Sequence, residues 1–412
     1  MEDFMKSTIY QIFPDRFYNG NPFNDPQPLR KWKQKPSRGS FFGGDLSGIT
    51  KKLNYLKHLG IGAIYLTPIF EAPSTHKYDT KDYLKIDSGF GTLEEFKRLL
   101  KRAHKFDIKV ILDGVFNHTG DHFWAFEDAR KNGKKSRYWN WYNIYNYPIK
   151  RKPKPNYEHA GIYYIPKLKH DNPEVIAHFV KVVQYWTKIG IDGWRFDMSW
   201  CIGPDFWKKI TQAALAINKD IIFIGEYWEK PSEFLKKYPF HGATDYIFRK
   251  ATLQLLNKKI EPKEYLNVIQ YKFEDRNTWY CWNMLGSHDT QRLLGQLHGS
   301  VERAKMAFTL QFTIPGLPLI YYGDEIGLFG GKDPDCRRPF DWNKKHWKKE
   351  IFEHIRELIE LRKERSALSI GDIKILEIEK DGFSFERFTT SESIEIEIDL
   401  KLQKAIIRKS QL

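Results

Sequence analysis

The amino-acid sequence predicts a (β/α)8 TIM barrel, an α/β fold in which eight parallel strands alternate with helices. Short apolar runs typical of buried strands alternate along the chain with amphipathic stretches of helical periodicity. Four of these runs lead directly into polar segments, which read DGVFNH (113–118), GWRFD (193–197), GEYW (225–228) and LGSHDT (285–290). Polar residues at the carboxyl ends of successive buried strands are the sequence pattern of a barrel active site.

Eight apolar runs are the predicted barrel strands. They lie at Ile9–Phe13, Ala63–Leu66, Val110–Val115, Gly193–Phe196, Ile221–Gly225, Tyr246–Phe248, Asn283–Ser287 and Leu319–Tyr322. Apolar residues recur at helical spacing between them, as in Leu93–Lys105, Pro173–Ile189 and Ser300–Thr313. Eight strands separated by helices are the number that closes a barrel of this type.

Two segments depart from the alternation. Between the third strand and its helix lie residues 119–171, a length that indicates a functional lid rather than an ordinary βα loop. The barrel would therefore comprise residues 1–118 and 172–365, with the lid inserted between them. Residues 366–412 predict a small C-terminal antiparallel β module. Its expected strands are Ile373–Glu377, Phe383–Arg387, Ile394–Ile398 and Ala405–Arg408.

Composition narrows the class of protein. Of the 412 residues, 41% are hydrophobic, which supplies a large core and argues against disorder. The net charge is +15, but Lys and Arg are interspersed with Asp and Glu, and no nucleic-acid recognition motif accompanies them. We therefore expect no nucleic-acid partner. The 16% of aromatic residues provide flat apolar faces that suit sugar rings as well as a core.

Location and redox chemistry are constrained in the same way. No stretch reaches the apolar length of a membrane span. The N-terminus, MEDFMKSTIYQIF, has neither the basic start nor the sustained apolar run of a secretory signal. We expect a cytoplasmic protein with no membrane partner. Three widely spaced cysteines fit neither a disulfide framework nor a zinc site.

Three carboxylates at successive strand ends are the candidate catalytic residues: Asp197, Glu226 and Asp289. A retaining glycosidase needs one ionised carboxylate as nucleophile and one protonated carboxyl as acid, about 5 Å apart. Arg195 precedes Asp197 by two strand positions, so both face one side, and the guanidinium would keep Asp197 ionised. Apolar neighbours would raise the pKa of Glu226 and suit it to proton transfer. A lone carboxylate would more often be a cap or ion pair, but three in succession favour catalysis.

The same segments resemble the signature segments of the α-amylase superfamily, glycoside hydrolase family 13. The resemblance extends to YQIFPDR (10–16), GGDL (43–46), HKYD (76–79) and IYYGDE (320–325), and it covers almost the whole chain. It implies that Asp197 is the nucleophile, Glu226 the acid/base and Asp289 the transition-state stabiliser. The further substrate-binding residues that it implies are Arg195, His118 and His288, with Tyr78 stacked under the sugar.

A closer resemblance links IPKL (165–168) and the run Gly316–Arg337 to the neopullulanase, cyclomaltodextrinase and maltogenic amylase group. It implies a retaining hydrolase of α-1,4-glucosidic bonds in α-glucan oligosaccharides, namely maltooligosaccharides and starch dextrins, with cyclodextrins and pullulan as further candidates. Members of that group carry an N-terminal β-sandwich that helps to form a dimer, whereas this chain begins at the first barrel strand. We therefore expect a monomer or weak dimer.

Two other functions remain open at this point. A 4-α-glucanotransferase would use the same scaffold, with a sugar rather than water resolving the glycosyl-enzyme intermediate. Trp200 is the candidate substrate-binding residue on the acceptor side, where an aromatic ring favours sugar over water. A non-catalytic carbohydrate-binding barrel is the other alternative, and the intact set of three carboxylates argues against it.

An oxygen-rich loop near the N-terminus predicts a structural calcium ion. The stretch Asn19–Asp25 is bent by Gly and Pro and carries several side-chain oxygens, which are the ligands that Ca²⁺ prefers. Its spacing also resembles the calcium loop of the neopullulanase group. A loop of Asx turns without an ion is the alternative. The expected ligands are Asn19, Asn21, Asn24, Asp25, Gly43 and Asp45.

Overall fold

The computed structural model describes residues 2–411 and contains a closed barrel of eight parallel strands. In chain order, the barrel strands are β1 Ile9–Ile12, β2 Ala63–Leu66, β3 Lys109–Gly114, β4 Gly193–Phe196, β5 Ile222–Gly225, β6 Gly242–Asp245, β7 Trp282–Met284 and β8 Leu317–Tyr321. Each strand pairs with the next, and β8 closes onto β1 with Leu319 opposite Ile9. The predicted fold class is confirmed.

The predicted position of the sixth barrel strand is wrong. We predicted it at Tyr246–Phe248, but those residues begin the helix Tyr246–Leu256, and the strand is the preceding Gly242–Asp245. The carboxylate of Asp245 caps the helix by accepting the N–H of Phe248 at 2.9 Å. Gly-Ala-Thr-Asp lacks the apolar run that is typical of a buried strand, whereas Tyr-Ile-Phe has one. Composition therefore predicted the strand after Asp245 instead of before it.

Helices surround the barrel and follow its strands. Several begin with proline at the first turn, where the missing N–H is not needed. The helices are Glu2–Met5, Leu46–Leu59, Leu93–His104, Trp124–Asn132, Pro173–Ile189, Pro204–Leu215, Pro231–Lys237, Tyr246–Leu256, Pro262–Val268, Tyr271–Glu274, Leu293–Gln296, Val301–Thr313, Lys349–Glu364 and Ser366–Ile370. A two-stranded hairpin, Phe70–Glu71 with Asp82–Ile86, follows β2. Among the helices within residues 2–411, none has the length and apolar character needed to cross a bilayer.

Side-chain alternation along β4 decides which residues reach the catalytic end. Trp194 and Phe196 point outward, and Phe196 packs 4.5 Å from Trp207 of the surrounding helix layer, measured between ring centroids. Arg195 and Asp197 consequently face the barrel interior, since successive side chains of a strand alternate between its two faces.

The lid segment, residues 119–171, lies between β3 and the helix Pro173–Ile189. It contains the helix Trp124–Asn132 and is held together by aromatic packing, with the Phe126 ring 4.9 Å from Tyr142 and 5.0 Å from Tyr157. Isolated bridges tie it to the barrel, among them His118 to Lys167.

The C-terminal part is a four-stranded antiparallel sheet. Its strands are β9 Asp372–Glu379, β10 Gly382–Phe388, β11 Glu392–Asp399 and β12 Lys404–Gln411. Buried Arg387 of β10 joins the sheet to the barrel by donating to the Thr313 carbonyl. Buried Arg362 ties the helix Ser366–Ile370, which precedes the sheet, to the barrel by donating to the carbonyls of Phe312 and Leu368. The predicted antiparallel module is therefore confirmed.

Candidate active site

The functional side chains meet at the carboxyl ends of the barrel strands. Asp113 lies in β3, Arg195 and Asp197 lie in and directly after β4, Glu226 follows β5, and Asp289 lies in the loop after β7. Of these residues, Asp197 and Asp289 line a cavity of ≈ 540 Å³. Asp113 and Glu226 join the group through their contacts with Arg195. The cavity lining includes Tyr78, His118, Asp197, His288, Asp289 and Arg337, with Ile162, Tyr164 and Ile165 contributed by the lid segment.

Arg195 is the centre of the catalytic cluster. Its Nη1 lies 2.9 and 3.0 Å from the two Asp113 oxygens and 3.2 Å from Asp197 Oδ1. Its Nη2 lies 3.0 Å from Glu226 Oε2. All four side chains are buried. Because a guanidinium is planar and permanently charged, the one Arg195 side chain orients three carboxylates at once.

The ionisation of Asp197 differs from the expectation. Burial raises its pKa well above the usual range, the nearby Glu226 carboxylate raises it further, and Arg195 lowers it. The predicted contact with Arg195 is present, but burial and the second carboxylate outweigh it. Burial and the neighbouring carboxylate therefore both oppose ionisation of Asp197, and Arg195 favours it.

Glu226 is held by donors that the sequence did not reveal. Met198 adopts a left-handed backbone conformation with φ of 44°, and its N–H donates to Glu226 Oε2 at 2.7 Å. Trp228 Nε1 donates to Oε1 at 2.9 Å. We predicted an apolar neighbourhood for Glu226; the side chain is buried, but both of its oxygens accept hydrogen bonds from polar groups. A left-handed non-glycine residue at this place is the kind of strain that active sites retain.

Asp289, His288 and Tyr78 form a second connected group in the cavity. His288 Nε2 lies 3.1 Å from Asp289 Oδ2 and 2.6 Å from the Tyr78 hydroxyl. The Tyr78 and His288 rings are nearly parallel, with centroids 5.4 Å apart and planes 4° apart. The other oxygen of Asp289 lies 3.2 Å from Arg337 Nη2, so His288 and Arg337 together fix the orientation of this carboxylate.

Burial favours the neutral form of two of the histidines that line the cavity, His118 and His288. Burial lowers the pKa of His118 to about 4, and its Nε2 lies 3.1 Å from the Tyr78 carbonyl oxygen. Burial also lowers the pKa of His288 well below its usual range, and the positive charges of Arg337 and Arg195 lower it further. Both rings therefore offer hydrogen bonds to a sugar without adding a positive charge.

Trp200 lies apart from this group. It lines a neighbouring cavity of ≈ 410 Å³ together with Tyr227, Trp228 and Tyr238. Trp228 belongs to this cavity and also donates to the Glu226 carboxylate, so the cavity lies next to the catalytic cluster. The structure thus brings together all the predicted catalytic and substrate-binding residues except Trp200, which lines the neighbouring cavity.

Several residues of the site were not predicted from the sequence. Asp113 opens the segment DGVFNH and pairs in register with Arg195, a position that could have been inferred from the strand pattern. Tyr65 donates to Asp113 Oδ2 at 2.5 Å from inside β2, where an aromatic residue is also typical of a core. Arg337 bridges Asp289 and Asp333, at 3.2 and 3.0 Å, from a loop with no local catalytic pattern.

The expected calcium loop contains oxygens without hydrogen-bond partners. Asn19 Nδ2 donates to both oxygens of Asp25, at 2.8 and 3.0 Å, while Asn19 Oδ1 and Asn24 Oδ1 are buried and unpartnered. Gly43 faces this group, and a Cβ placed there would lie 2.5 Å from Asp25 Oδ1. Such a cradle of unsatisfied oxygens fits a hard cation.

The remaining expected ligands have other partners. Asn21 Oδ1 accepts the N–H of Phe23 at 3.3 Å and caps a short turn. Asp45 accepts the backbone N–H groups of Gly20, Asn21 and Gly48, so most of its acceptor capacity serves the start of the helix Leu46–Leu59. Within residues 2–411 no group of three or more His, Cys, Asp or Glu side chains is arranged to hold a metal. An ion here would depend on amide and carbonyl oxygens together with Asp25.

The barrel and its three strand-end carboxylates define a glycoside hydrolase of the (β/α)8 class. Comparison with known families agrees, since residues 11–349 match the family described as alpha amylase, catalytic domain. The chain belongs to this family, glycoside hydrolase family 13.

Alignments with individual relatives cover most of the chain. The cyclomaltodextrinase of Thermoanaerobacter pseudethanolicus is 43% identical over 406 residues, which are 97% of this chain and 71% of that protein. The intracellular maltogenic amylase of Bacillus subtilis is 37% identical over 396 residues, which are 93% of this chain and 67% of that protein. Among solved structures, the cyclic α-maltosyl-(1→6)-maltose hydrolase of Arthrobacter globiformis, in complex with that sugar, matches with a TM-score of 0.93 at 36% identity, covering 96% of this chain and 90% of that chain.

Proposed function

We propose that this enzyme hydrolyses α-1,4-glucosidic bonds in maltooligosaccharides and starch dextrins with retention of configuration, and that cyclodextrins and pullulan are further substrates. The observation that carries the proposal is the single guanidinium of Arg195, which contacts both Asp197 and Glu226. Two carboxylates on the two terminal nitrogens of one arginine are close enough for the short separation that retaining glycosidases need.

In the proposed reaction, Asp197 attacks the anomeric carbon while Glu226 gives its proton to the departing glycosidic oxygen. The bond from the anomeric carbon to that oxygen breaks as the bond to Asp197 forms. Glu226, now a carboxylate, then removes a proton from water, whose oxygen displaces Asp197 and restores both side chains. In this scheme the positive charge of Arg195, which lowers the pKa of Asp197, favours the ionised form that attacks.

The charge that develops on the sugar explains the rest of the cavity. An oxocarbenium-like transition state is positive, so a nearby carboxylate stabilises it. We assign this role to Asp289, which Arg337 and His288 hold from two sides. Neutral His118 and His288 would bind sugar hydroxyls without opposing that charge. The two cavities would accommodate sugar units before and after the scissile bond.

The transferase alternative has one specific observation in its favour. Trp200, Tyr227, Trp228 and Tyr238 give the cavity of ≈ 410 Å³ an aromatic lining. Such a lining binds a second sugar well and water poorly. We expect some transfer to added acceptor sugars for this reason, with hydrolysis as the main reaction.

A product profile tests this function. We expect the purified enzyme to release the α-anomer first from maltohexaose, as followed by polarimetry, because two displacements restore the configuration. Catalytic efficiency should rise from maltotriose to maltohexaose, since binding energy from remote units can accelerate the reacting centre. Chromatography over time should show mainly shorter products from linear dextrins, β-cyclodextrin, pullulan and starch.

Two results would contradict the proposal. Initial release of the β-anomer would exclude the retaining mechanism. Early products that are mostly longer than the starting oligosaccharide would make the enzyme a glucanotransferase. A matched Trp200→Ala variant separates these functions further, because it should lower transfer to acceptors more than it lowers hydrolysis.

We also propose a structural calcium ion at the loop Asn19–Asp25, supported by the buried, unpartnered oxygens of Asn19 and Asn24 next to the Asp25 carboxylate. The Gly43 carbonyl and the remaining acceptor capacity of Asp45 would complete the ligand set. When bound, the ion would join the segment after β1 to the start of the helix Leu46–Leu59.

Chelation should therefore lower the melting temperature, because an ion bound only to the folded state stabilises it by mass action. Differential scanning calorimetry with and without a chelator measures the effect. Asp25→Asn should remove the sensitivity to chelator, whereas Asp220→Asn, at an exposed position, should retain it. A wild-type melting curve that the chelator leaves unchanged, with no calcium found by elemental analysis, would refute the site.

Location and assembly follow as further proposals. Similarity to an intracellular maltogenic amylase supports a cytoplasmic location for this enzyme. The expectation of a monomer or weak dimer stays a prediction, which sedimentation velocity across a concentration series would test.

A further inference from the structure

The Gln11 side chain of β1 contacts the Nδ1 edge of the His288 ring. Its Nε2 lies 2.7 Å from His288 Nδ1, across 277 residues of sequence. The side chain is buried, and its other polar atom, Oε1, has no hydrogen-bond partner. Contact with the imidazole is therefore the one polar interaction that the Gln11 side chain makes within residues 2–411.

The opposite edge of the imidazole shows where its proton lies. Tyr78 has one hydroxyl proton, and it donates that proton to Asp113 Oδ2 at 2.9 Å. Asp113 must accept here, because Arg195 also donates to both of its oxygens. The Tyr78 oxygen, 2.6 Å from His288 Nε2, is then an acceptor toward the ring, as is Asp289 Oδ2 at 3.1 Å. Both contacts require a proton on Nε2.

A neutral ring has only that one proton. Burial lowers the pKa of His288, and Arg337, Arg195 and His76 lower it further, whereas Glu226 raises it. With Nε2 protonated and the ring neutral, Nδ1 has a free lone pair and needs a donor. The amide NH₂ of Gln11 is that donor, an assignment that follows from the hydrogen-bond network rather than from the amide orientation alone.

We propose that Gln11 is a positioning residue that holds His288 in the Nε2–H tautomer, so that the ring presents a neutral hydrogen-bond donor to a sugar hydroxyl in the cavity. The proposal rests on the hydrolytic function proposed above. Its physical consequence is specific: the imidazole can bind the sugar without placing a cation beside a transition state that is itself positive.

Two substitutions at Gln11 separate this role from simple packing. In Gln11→Glu the new carboxylate can only accept, so it favours a proton on Nδ1 and removes the donor from Nε2 of the neutral ring. Holding a catalytic imidazole in the wrong tautomer costs orders of magnitude, and we expect kcat/KM at neutral pH to fall about a hundredfold. Gln11→Met removes the donor but leaves Tyr78 and Asp289 to favour the original tautomer, so the loss should stay within about tenfold.

The pH dependence distinguishes the two variants as well. At low pH the introduced carboxyl gains a proton and can donate it to Nδ1, which restores a proton on Nε2 of the neutral ring. The activity of Gln11→Glu relative to wild type should therefore rise as the pH falls, whereas that of Gln11→Met should stay constant. Gln311→Met is the matched control: this buried glutamine donates to the Asn283 and Leu319 carbonyls, so its loss should lower the melting temperature but leave the pH profile unchanged.

Nitrogen-15 NMR of histidine-labelled protein reads the tautomer without relying on activity, with His288→Asn used to assign the signals. We expect an unprotonated Nδ1 in wild type and a protonated Nδ1 in Gln11→Glu. A protonated Nδ1 in wild type would refute the proposal, as would equal rates and pH profiles for Gln11→Glu and Gln11→Met. Because the spectra need no substrate, a failure of the proposed hydrolytic function would appear separately, in the wild-type product profile.

Discussion

Asp197→Asn should lower the hydrolysis of maltooligosaccharides by about four orders of magnitude or more while the protein stays folded. An amide is neither ionised nor nucleophilic, so the covalent step is lost. The fold should persist because the amide occupies nearly the same volume and Arg195 keeps its contacts with Asp113 and Glu226. The rate of release of reducing sugar from maltohexaose, together with the melting temperature, measures both parts of this expectation.

Asp192→Asn is the matched control for Asp197→Asn. Asp192 directly precedes β4 and lies at the other end of that strand, where it accepts from His104 and from the Val110 N–H, both at 2.8 Å. Residues at this end of a barrel stabilise the fold and do not touch substrate. The control should lose some stability and keep its activity. Near-native turnover by Asp197→Asn would show that another group is the nucleophile.

Glu226→Gln should lower turnover of maltooligosaccharides by about two to four orders of magnitude, because the leaving oxygen loses its proton donor. Aryl maltosides with good leaving groups should be affected much less, since they need little protonation. The acid side of the pH profile should also move. The Glu226 carboxylate raises the pKa of Asp197, so its removal lowers that pKa and keeps the nucleophile ionised at lower pH.

The experiment compares kcat against pH for an activated aryl maltoside in wild type and Glu226→Gln. Asp220→Asn provides the control, because Asp220 is exposed just before β5, at the end of that strand opposite to Glu226. An acid limb that stays in place, or moves to higher pH, would contradict the electrostatic coupling of Asp197 and Glu226. Equal losses on activated and natural substrates would contradict the role of Glu226 as the acid.

The position of β6 and the surroundings of Glu226 are two features that local sequence patterns did not predict. Both errors arose from assigning structure by composition over a few residues. Gly242–Asp245 is a strand because its neighbours supply pairing partners, although its own residues have little apolar character. Glu226 has apolar neighbours in the sequence, but its partners in space are a backbone N–H, an indole N–H and a guanidinium.

The sequence by itself determined the barrel, the C-terminal sheet and the strand-end carboxylates, because these depend on periodicity and on the alternation of side chains along single strands. Tertiary structure decided everything that joins distant strands. Gln11 meets His288, and Arg337 meets Asp289, only after the barrel has closed. Closure also buries Asp197 beside Glu226, and this burial, which no local pattern reports, reverses the expected direction of the Asp197 pKa. Local patterns specify which face of an element is buried, whereas hydrogen-bond partners and pKa values depend on what the rest of the chain places against that face.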